Sequence, residues 1–241
     1  ISAKLICFIE NQALAWFFFM EKIEKNLDKI HQVINTLKLA YEPKIIAVSK
    51  QQSIESMKLA YNYGQRAFGE NYLQEGLTKI NELKDLQIEW HFIGPIQSNK
   101  CKQIAEHFDW VQTLDRLKIA QRLDQNLINK KLNICIQVNI SNEESKSGIM
   151  LDDIDTFIES LDQFENLTIR GLMAIPSNTI DQDILKEEFN RLKLKFDQIQ
   201  RSRNYFDTLS MGMSADFRLA LECGSTMIRV GSNIFGTRNY G

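Results

Sequence analysis

The hydrophobic and polar positions of this chain follow two alternating patterns from Lys22 onward. Some segments carry apolar residues at three-and-four spacing, which is typical of amphipathic helices. Between them lie short runs rich in β-branched and aromatic residues, which are typical of strands. Eight runs have strand character, at residues 44–50, 66–71, 89–96, 110–115, 133–140, 168–175, 208–212 and 227–235.

Helical patterns separate these strands, and the alternation predicts the fold class. An α/β chain of this kind forms a parallel sheet that is covered by helices. Eight such strands close most simply as a single (β/α)8 TIM-type barrel, with an open doubly wound sheet as the alternative. An extra helix is expected at 21–39, before the first strand, and the others at 54–63, 73–83, 116–128, 151–161, 184–201 and 215–222.

The first 19 residues stand apart from this pattern. Two apolar runs, 5–9 and 15–19, are interrupted by Glu10 and Asn11. The segment is too short and broken for a membrane span, and its apolar part is poor for a signal peptide. We therefore expect residues 1–19 to be an extension outside the native protein, which would start at Met20, and residues 20–241 to form one barrel domain.

Composition and charge narrow the possible function classes. The 241 residues are 44% hydrophobic and 25% charged, the formal net charge is -2, and the basic residues are scattered. This charge pattern argues against a nucleic-acid partner. The four cysteines are far apart with no Cys-x-x-Cys pair, which indicates neither a metal site nor a disulfide framework. Reduced cysteines are typical of the cytoplasm, where we expect the protein, with no membrane association.

Lys50 is the first candidate for chemistry, because it closes the apolar run 44–50. In a strand with period two, Ile46, Val48 and Lys50 lie on one face. An amine that follows two branched apolar side chains is poorly hydrated and suited to Schiff-base formation. The alternative is an ordinary surface lysine just past a strand.

The last two strands predict a phosphate site opposite this lysine. Active sites of TIM-type barrels lie at the carboxyl ends of the strands, and phosphate binds at the loops after strands seven and eight. Ser214 stands at an expected N-cap position of helix 215–222, and glycines in 229–237 let backbone N–H groups approach a ligand. A lysine facing such a cradle suggests a phosphorylated aldehyde as ligand.

Six segments in fixed order give the chain a family resemblance. From about Ile23 to Tyr240 it resembles the pyridoxal 5′-phosphate (PLP) homeostasis proteins, which share the barrel of the alanine racemase N-terminal domain. Each segment alone is modest, but their order and spacing together are highly specific. They are Ala47-Val-Ser-Lys50, Phe68-Gly-Glu-Asn-Tyr72, Trp90-His-Phe-Ile-Gly-Pro-Ile-Gln-Ser-Asn-Lys100, Leu209-Ser-Met-Gly-Met-Ser-Ala-Asp216, Gly224-Ser-Thr-Met-Ile-Arg-Val-Gly231 and Ile234-Phe-Gly236.

The resemblance implies PLP as the cofactor and assigns roles to nine residues. Lys50 would hold PLP as a Schiff base, and Arg229 would face the pyridine nitrogen. The phosphate would be held by Ser214 and by the backbone around Gly231 and Ser232. The remaining implied neighbours are Asn71 and Met213 beside the ring, and Ser210 and Thr237 near the phosphate.

The Arg229 assignment has a chemical consequence. A cation at the pyridine nitrogen disfavours its protonation, so the cofactor is a weaker electron sink. This argues against transamination and decarboxylation and leaves racemisation or simple carriage open. The alternative for Arg229 is a rim arginine paired to a carboxylate.

Racemisation also needs a second acid or base on the other face of the ring. In alanine racemases a tyrosine of a C-terminal β domain provides it, and this chain stops at Gly241, so we expect that domain to be absent. Tyr72 or His91 could substitute, although a histidine inside an apolar run is at least as well explained by packing.

We therefore expect a cofactor-handling protein without a dedicated catalytic activity. It would buffer PLP in the cell and deliver it to PLP-dependent apo-enzymes, and it would be a monomer. The alternative function is a low-activity PLP-dependent amino-acid racemase or lyase in which Lys50 also moves the proton. A scaffold with a vestigial site is the third hypothesis.

Overall fold

Eight parallel strands form a closed barrel in chain order. The computed structural model describes residues 3–143 and 146–236, with side chains from Met20 onward. Strand β1 pairs with β8, which closes the barrel and places Ile46 opposite Arg229. The predicted (β/α)8 barrel is confirmed. The strands are β1 Lys44–Val48, β2 Ala67–Glu70, β3 Glu89–Phe92, β4 Trp110–Leu114, β5 Leu132–Val138, β6 Leu167–Ala174, β7 Thr208–Ser210 and β8 Met227–Val230.

Helices connect the strands around the outside of the barrel. Two 3₁₀ turns, Ser98–Lys100 and Leu151–Asp153, precede α4 and α6. No helix in the described part of the chain is long and apolar enough to cross a membrane. The helices are α1 Ala3–Thr36, α2 Ile54–Asn62, α3 Leu73–Glu82, α4 Cys101–His107, α5 Leu117–Asp124, α6 Ile154–Leu161, α7 Gln182–Gln200, α8 Phe217–Glu222 and α9 Ser232–Phe235.

Helix α1 confirms the expected N-terminal helix but begins at Ala3 rather than at residue 21. The sequence between these two points contains no glycine or proline, so nothing interrupts the helical backbone. Its buried face comprises Ile23, Leu27 and Ile30, and Asn26 Nδ2 donates to the carbonyl oxygen of Ile234 at 2.9 Å. The helix thereby packs against α9. The start of the native protein at Met20 stays a prediction.

The barrel has two apolar layers of very different size. The larger layer lies between strands and helices and contains the outward-facing Ile45 and Ala47 of β1. The smaller layer lies inside the barrel, because alternate residues of each strand point to opposite faces. Its members are Ile46, Ala67, Trp110, Cys135, Met173 and Met227.

Several strands are shorter than the sequence pattern predicts, and β8 differs most. The predicted strand 227–235 ends at Val230, and residues 232–235 form helix α9 instead. The N–H groups of Ile234 and Phe235 turn back to the carbonyl oxygen of Gly231 at 2.9 and 3.0 Å. The run is apolar because helix α9 packs against α1. A short apolar run of this kind fits a buried helix as well as a strand, so the sequence pattern could not distinguish the two.

Strands β1, β3 and β7 also end before their predicted limits. β3 stops at Phe92 because Gly94 lies against Asn71 and Pro95 lacks an N–H for the ladder. A Cβ atom on Gly94 would come within 2.0 Å of the carbonyl oxygen of Asn71. The shortened strands leave Lys50 in the loop directly after β1.

Candidate functional site

Lys50 lies two residues beyond the end of β1, at the carboxyl end of the barrel. Ile46 is buried inside the barrel, and Val48 follows it on the same face of β1 as the last residue of the strand. The side chain of Lys50 is partly buried. The backbone before it is paired to β2, since Ser49 N–H donates to the carbonyl oxygen of Gly69 at 3.0 Å. This is the position that the apolar run predicted for the lysine.

A buried charged cluster fixes the chain immediately before Lys50. Lys79 Nζ donates to the carbonyl oxygen of Ser49 at 2.5 Å, to Glu70 Oε1 at 2.8 Å and to Glu75 Oε1 at 2.6 Å. Ser49 Oγ donates to the same Glu70 oxygen at 2.6 Å. Burial raises the pKa of the Glu70 carboxyl, and the Lys79 ammonium opposes that rise.

The sequence pattern did not single out Lys79 or give Glu70 a role. On the amphipathic helix α3, Lys79 looks like a solvated lysine, yet it is 4% exposed. Glu70 lies within the family motif 68–72, but nothing local shows that a lysine nine residues later reaches it. Only the packing of α3 against β2 brings the two charges together.

Asn71 follows β2 and faces a cavity at the mouth of the barrel. The cavity has a volume of about 570 Å³ and is also lined by Thr113, Gln137, Asn139 and Lys146. Asn71 Oδ1 is buried, and within the described part of the chain no donor reaches it. A buried acceptor without a partner is costly, so this atom is suited to an N–H or O–H group of a ligand.

Arg229 lies inside the barrel rather than on its rim. Arg229 is 5% exposed. Its Nη1 donates to two oxygens of Ser210, the carbonyl oxygen at 2.9 Å and the hydroxyl oxygen at 2.7 Å. Nη2 donates to the carbonyl oxygen of Ala174 at 3.0 Å. Burial lowers the pKa of Arg229 to about 10, which leaves the guanidinium charged at neutral pH. The alternative of a rim arginine paired to a carboxylate is wrong, because the side chain is buried and its hydrogen bonds within the described residues go to Ser210 and Ala174.

Ser210 is buried beneath this guanidinium. Its hydroxyl accepts from Arg229 and donates to Gln112 Oε1 at 2.7 Å. Because both partners are protein groups, this geometry does not favour the predicted contact between Ser210 and a phosphate.

The loops after β7 and β8 meet at Ser214. Ser214 Oγ accepts from the N–H groups of Gly231 and Asn233, both at 3.4 Å, and Asn233 Nδ2 donates to the Ser214 carbonyl oxygen at 2.9 Å. Hydrogen bonds of 3.4 Å are at the weak end of the range, so these N–H groups remain good donors for an anion. Ser232 is the first residue of α9, beside them.

The prediction that Ser214 caps the helix at 215–222 is wrong. Helix α8 begins at Phe217, and Asp216 occupies its N-cap. Asp216 Oδ1 accepts from the N–H of Met213 at 2.6 Å, which closes the turn before the helix. This turn directs Ser214 toward the loop after β8. Burial raises the pKa of the Asp216 carboxyl.

The closed barrel thus brings the predicted residues together in two adjacent groups. Lys50 and Asn71 follow β1 and β2, whereas Met213, Ser214, Arg229, Gly231 and Ser232 belong to β7, β8 and their loops. The two groups adjoin because β8 pairs with β1. Since Arg229 is opposite Ile46, it is four residues below Lys50, about 13 Å along the strand. Thr237 lies outside the described residues.

Of the two alternative acids or bases, His91 lies away from the mouth, and Tyr72 follows β2 but does not line the cavity beside Asn71. His91 is buried in the barrel interior, where its ring bonds to Glu89 and Gln112. Tyr72 is 55% exposed and precedes α3.

Comparison with known proteins defines the class of the barrel first. The family model described as alanine racemase, N-terminal domain, matches residues 20–239. Alanine racemase from E. faecalis has a similar fold, with a TM-score of 0.69, 15% identity, and coverage of 91% of this chain and 58% of the racemase.

Closer relatives define the family within that class. The pyridoxal phosphate homeostasis proteins of Pasteurella multocida and Haemophilus influenzae are 47% and 46% identical over 229 residues, which cover 90% of this chain and 98% and 97% of theirs. The structure of PipY from Synechococcus elongatus with PLP bound has a TM-score of 0.79 and 32% identity, covering 89% of this chain and 100% of PipY. The chain belongs to the family of pyridoxal phosphate homeostasis proteins.

Proposed function

We propose that this protein holds PLP as a Schiff base on Lys50 and buffers it or delivers it to PLP-dependent apo-enzymes. The observation that carries the proposal is the position of Lys50 beside the loops after β7 and β8 in a closed barrel. The PLP-bound structure of PipY, 32% identical to this chain, supports it. The cytoplasmic location, the monomeric state and the recipient enzymes remain predictions.

The residues around Lys50 fit PLP. The hydroxyl of Ser214 and the N–H groups at Gly231 and Ser232 would hold the phosphate, with Met213 beside them. Asn71 offers a buried acceptor that lacks a donor within the described part of the chain. Arg229 would face the pyridine nitrogen. The backbone of Lys50 lies about 13 Å further along the strand than that of Arg229, which leaves a level between the two residues for an aromatic ring.

The chemistry at Lys50 is reversible condensation. Lys50 would hold PLP through its amine, and loss and return of one water between amine and aldehyde would make the attachment reversible. Bound PLP supplies an electrophilic carbon and an electron-accepting ring. The charged guanidinium of Arg229 keeps the ring nitrogen unprotonated, which weakens that electron sink. The side chains therefore suit the binding and release of PLP better than reactions that need a strongly stabilised carbanion, such as transamination or decarboxylation.

The alternative is a low-activity amino-acid racemase or lyase. The cavity of about 570 Å³ next to Asn71 leaves room for a small amino acid. Turnover of a free amino acid that disappears in Lys50→Ala would favour this alternative over carriage.

The test is an absorption spectrum of the purified protein with PLP, before and after borohydride, followed by peptide mapping. We expect a band near about 420 nm, typical of PLP Schiff bases, and a reduced adduct on Lys50. Lys50→Ala removes the band, whereas Lys58→Ala, an exposed lysine on α2, keeps it. An adduct spread over surface lysines, or an unchanged band in Lys50→Ala, would contradict the proposal.

A further inference from the structure

The interior of the barrel contains a continuous chain of polar side chains from Arg229 to the opposite end. Arg229 Nη1 bonds to Ser210 Oγ at 2.7 Å, and Ser210 Oγ bonds to Gln112 Oε1 at 2.7 Å. Gln112 Nε2 is 2.9 Å from His91 Nδ1, and His91 Nε2 is 2.6 Å from Glu89 Oε1. Since β4 and β7 are not neighbours, the chain crosses the barrel.

The direction of every bond in this chain is fixed by its chemistry. A guanidinium can only donate, so Ser210 Oγ accepts from Arg229 and donates its own proton to Gln112. Gln112 Nε2 is also 3.3 Å from Met227 Sδ, and a thioether can only accept. The amide nitrogen therefore faces both Met227 and His91, and His91 Nδ1 must accept. His91 Nε2 then carries the proton and donates it to Glu89.

Glu89 is the anionic end of the chain, at the amino ends of the strands. Lys44 Nζ donates to its two oxygens at 2.8 and 3.0 Å. Burial would raise the pKa of Glu89, but the hydrogen bonds from His91 and Lys44 outweigh it and lower the pKa to about 2. Burial lowers the pKa of His91, which favours the neutral ring that the bond from Gln112 requires.

A second ion pair at the same end of the barrel lies outside the chain. Arg170 donates to Asp207 at 2.6 and 3.0 Å, and both Arg170 and Lys44 lie over the ring of Trp110, at 5.0 and 5.6 Å from its centroid. The two carboxylates, Glu89 and Asp207, thus have similar surroundings. Only Glu89 is bonded to His91.

We propose that His91, Gln112 and Ser210 are positioning residues that fix the guanidinium of Arg229 beneath the cofactor ring, and that Glu89 holds the far end of this hydrogen-bond chain in place. His91 is then locked as the Nε2–H tautomer and does not exchange protons with a ligand. The part that concerns the cofactor rests on the proposed PLP site, whereas the part that concerns the tautomer does not.

The first test is ¹⁵N NMR of the histidine ring in the protein without PLP at neutral pH. We expect His91 to show a protonated Nε2 and an unprotonated, hydrogen-bonded Nδ1. In Gln112→Met the side chain has no donor, so Nδ1 loses its hydrogen bond and its ¹⁵N shift should move toward that of an unbonded ring nitrogen. A wild-type His91 with a protonated Nδ1, or a Gln112→Met variant with an unchanged Nδ1 shift, would overturn the proposal.

The second test compares Glu89→Gln with the matched control Asp207→Asn in the PLP-loaded protein. Both remove one negative charge from the same end of the barrel. We expect Glu89→Gln to weaken PLP retention by about threefold or more and to shift the bound absorption maximum, because His91 loses its anionic acceptor and the chain that positions Arg229 is held less firmly. Asp207→Asn should change neither. Equal effects of the two variants would contradict a specific role of the chain.

The two proposals fail in different ways. If wild-type protein forms no adduct at Lys50, the PLP site is wrong, and the NMR measurement still tests the chain. If Glu89→Gln does not fold, Ser210→Ala provides the second variant, because it removes the link between Gln112 and Arg229 without a change of charge. Ser210→Ala should also weaken PLP retention, and full retention would overturn the proposal.

Discussion

A buried cluster of charges holds the chain before Lys50, whereas Ser214 meets the loop after β8 through long hydrogen bonds from backbone N–H groups. On the first side Lys79 joins Ser49, Glu70 and Glu75 through bonds of 2.5 to 2.8 Å. On the second side Ser214 receives two bonds of 3.4 Å from backbone N–H groups.

The chain before Lys50 is therefore held rigidly, whereas the loops that meet at Ser214 can exchange their hydrogen bonds for bonds to a ligand. Strong charge-assisted bonds hold the chain before Lys50 whether or not a ligand is bound. The long bonds at Ser214 are readily exchanged for bonds to an anion, because little is lost when they break. Substitutions on the lysine side should therefore affect folding most, and substitutions in the cradle should affect ligand retention most.

The largest loss of folding stability is expected for Lys79→Met. It leaves the carboxylate of Glu70 buried without its cation, so the free energy of unfolding should fall by about 3–5 kcal/mol. Urea unfolding followed by circular dichroism measures the change. The double variant Lys79→Met, Glu70→Gln should recover most of the loss. A cost of less than about 1 kcal/mol in the single variant would show that the cluster does not anchor this side.

Gly212→Ala should cost about 2–3 kcal/mol on the opposite side of the mouth. Gly212 has a φ of 94°, and a Cβ atom there would lie 2.6 Å from the Cβ of Ala220. Gly64→Ala is the matched control, because Gly64 has a φ of 103° with nothing within 4 Å of an added Cβ. The control should cost only about 1 kcal/mol in the same unfolding measurement. Equal costs would mean that the contact with α8 is unimportant.

Glu89→Gln should change the acid stability of the protein. The pKa of Glu89 falls from 4.5 to about 2 on folding, so its contribution is full above pH 4.5 and is lost as the pH falls toward 2. Allowing for partial exposure, we expect a contribution on the order of 1–2 kcal/mol. Thermal unfolding between these pH values should show a shallower decline for the variant. Parallel curves for the two proteins would contradict the assignment.

Glu70→Gln should change the pH dependence of stability in the direction opposite to that expected for Glu89→Gln. Burial raises the pKa of Glu70, so the folded protein binds this proton more readily than the unfolded chain does. The wild type therefore loses stability through this group as the pH rises above 4.5 toward the raised pKa. The variant should lack that part of the decline in a thermal unfolding series. An unchanged pH dependence above pH 4.5 would contradict this.

The smallest change in folding stability is expected for Ser214→Ala. Among the described residues its hydroxyl accepts two bonds, both 3.4 Å long, so the free energy of unfolding should change by less than about 0.5 kcal/mol. Retention of PLP should fall about fivefold to tenfold, because one phosphate contact is lost. Pyridoxal, which has no phosphate, should bind both proteins equally. A similar loss for pyridoxal would show that Ser214 does not contact the phosphate.

The sequence by itself determined the barrel and the place of Lys50. Both depend on local pattern: alternating residues define each strand, and the apolar run of β1 places Lys50 directly after its carboxyl end. The order of eight strands with helices between them restricts the topology further, since parallel strands with right-handed connections close in chain order. The end of β8 was missed, because an apolar run of this length also fits a short helix.

Only the tertiary structure decided which polar groups meet. Ser210 and Gln112 are 98 residues apart, and Lys79 reaches Glu70 from a helix that looks solvated. Closure of the barrel places β4 and β7 across its interior from each other and brings β8 beside β1. Arg229 then lies inside the barrel, and Ser214 contacts the loop after β8. Periodicity reports which face of an element is buried, whereas a hydrogen-bond partner depends on distances across the folded barrel.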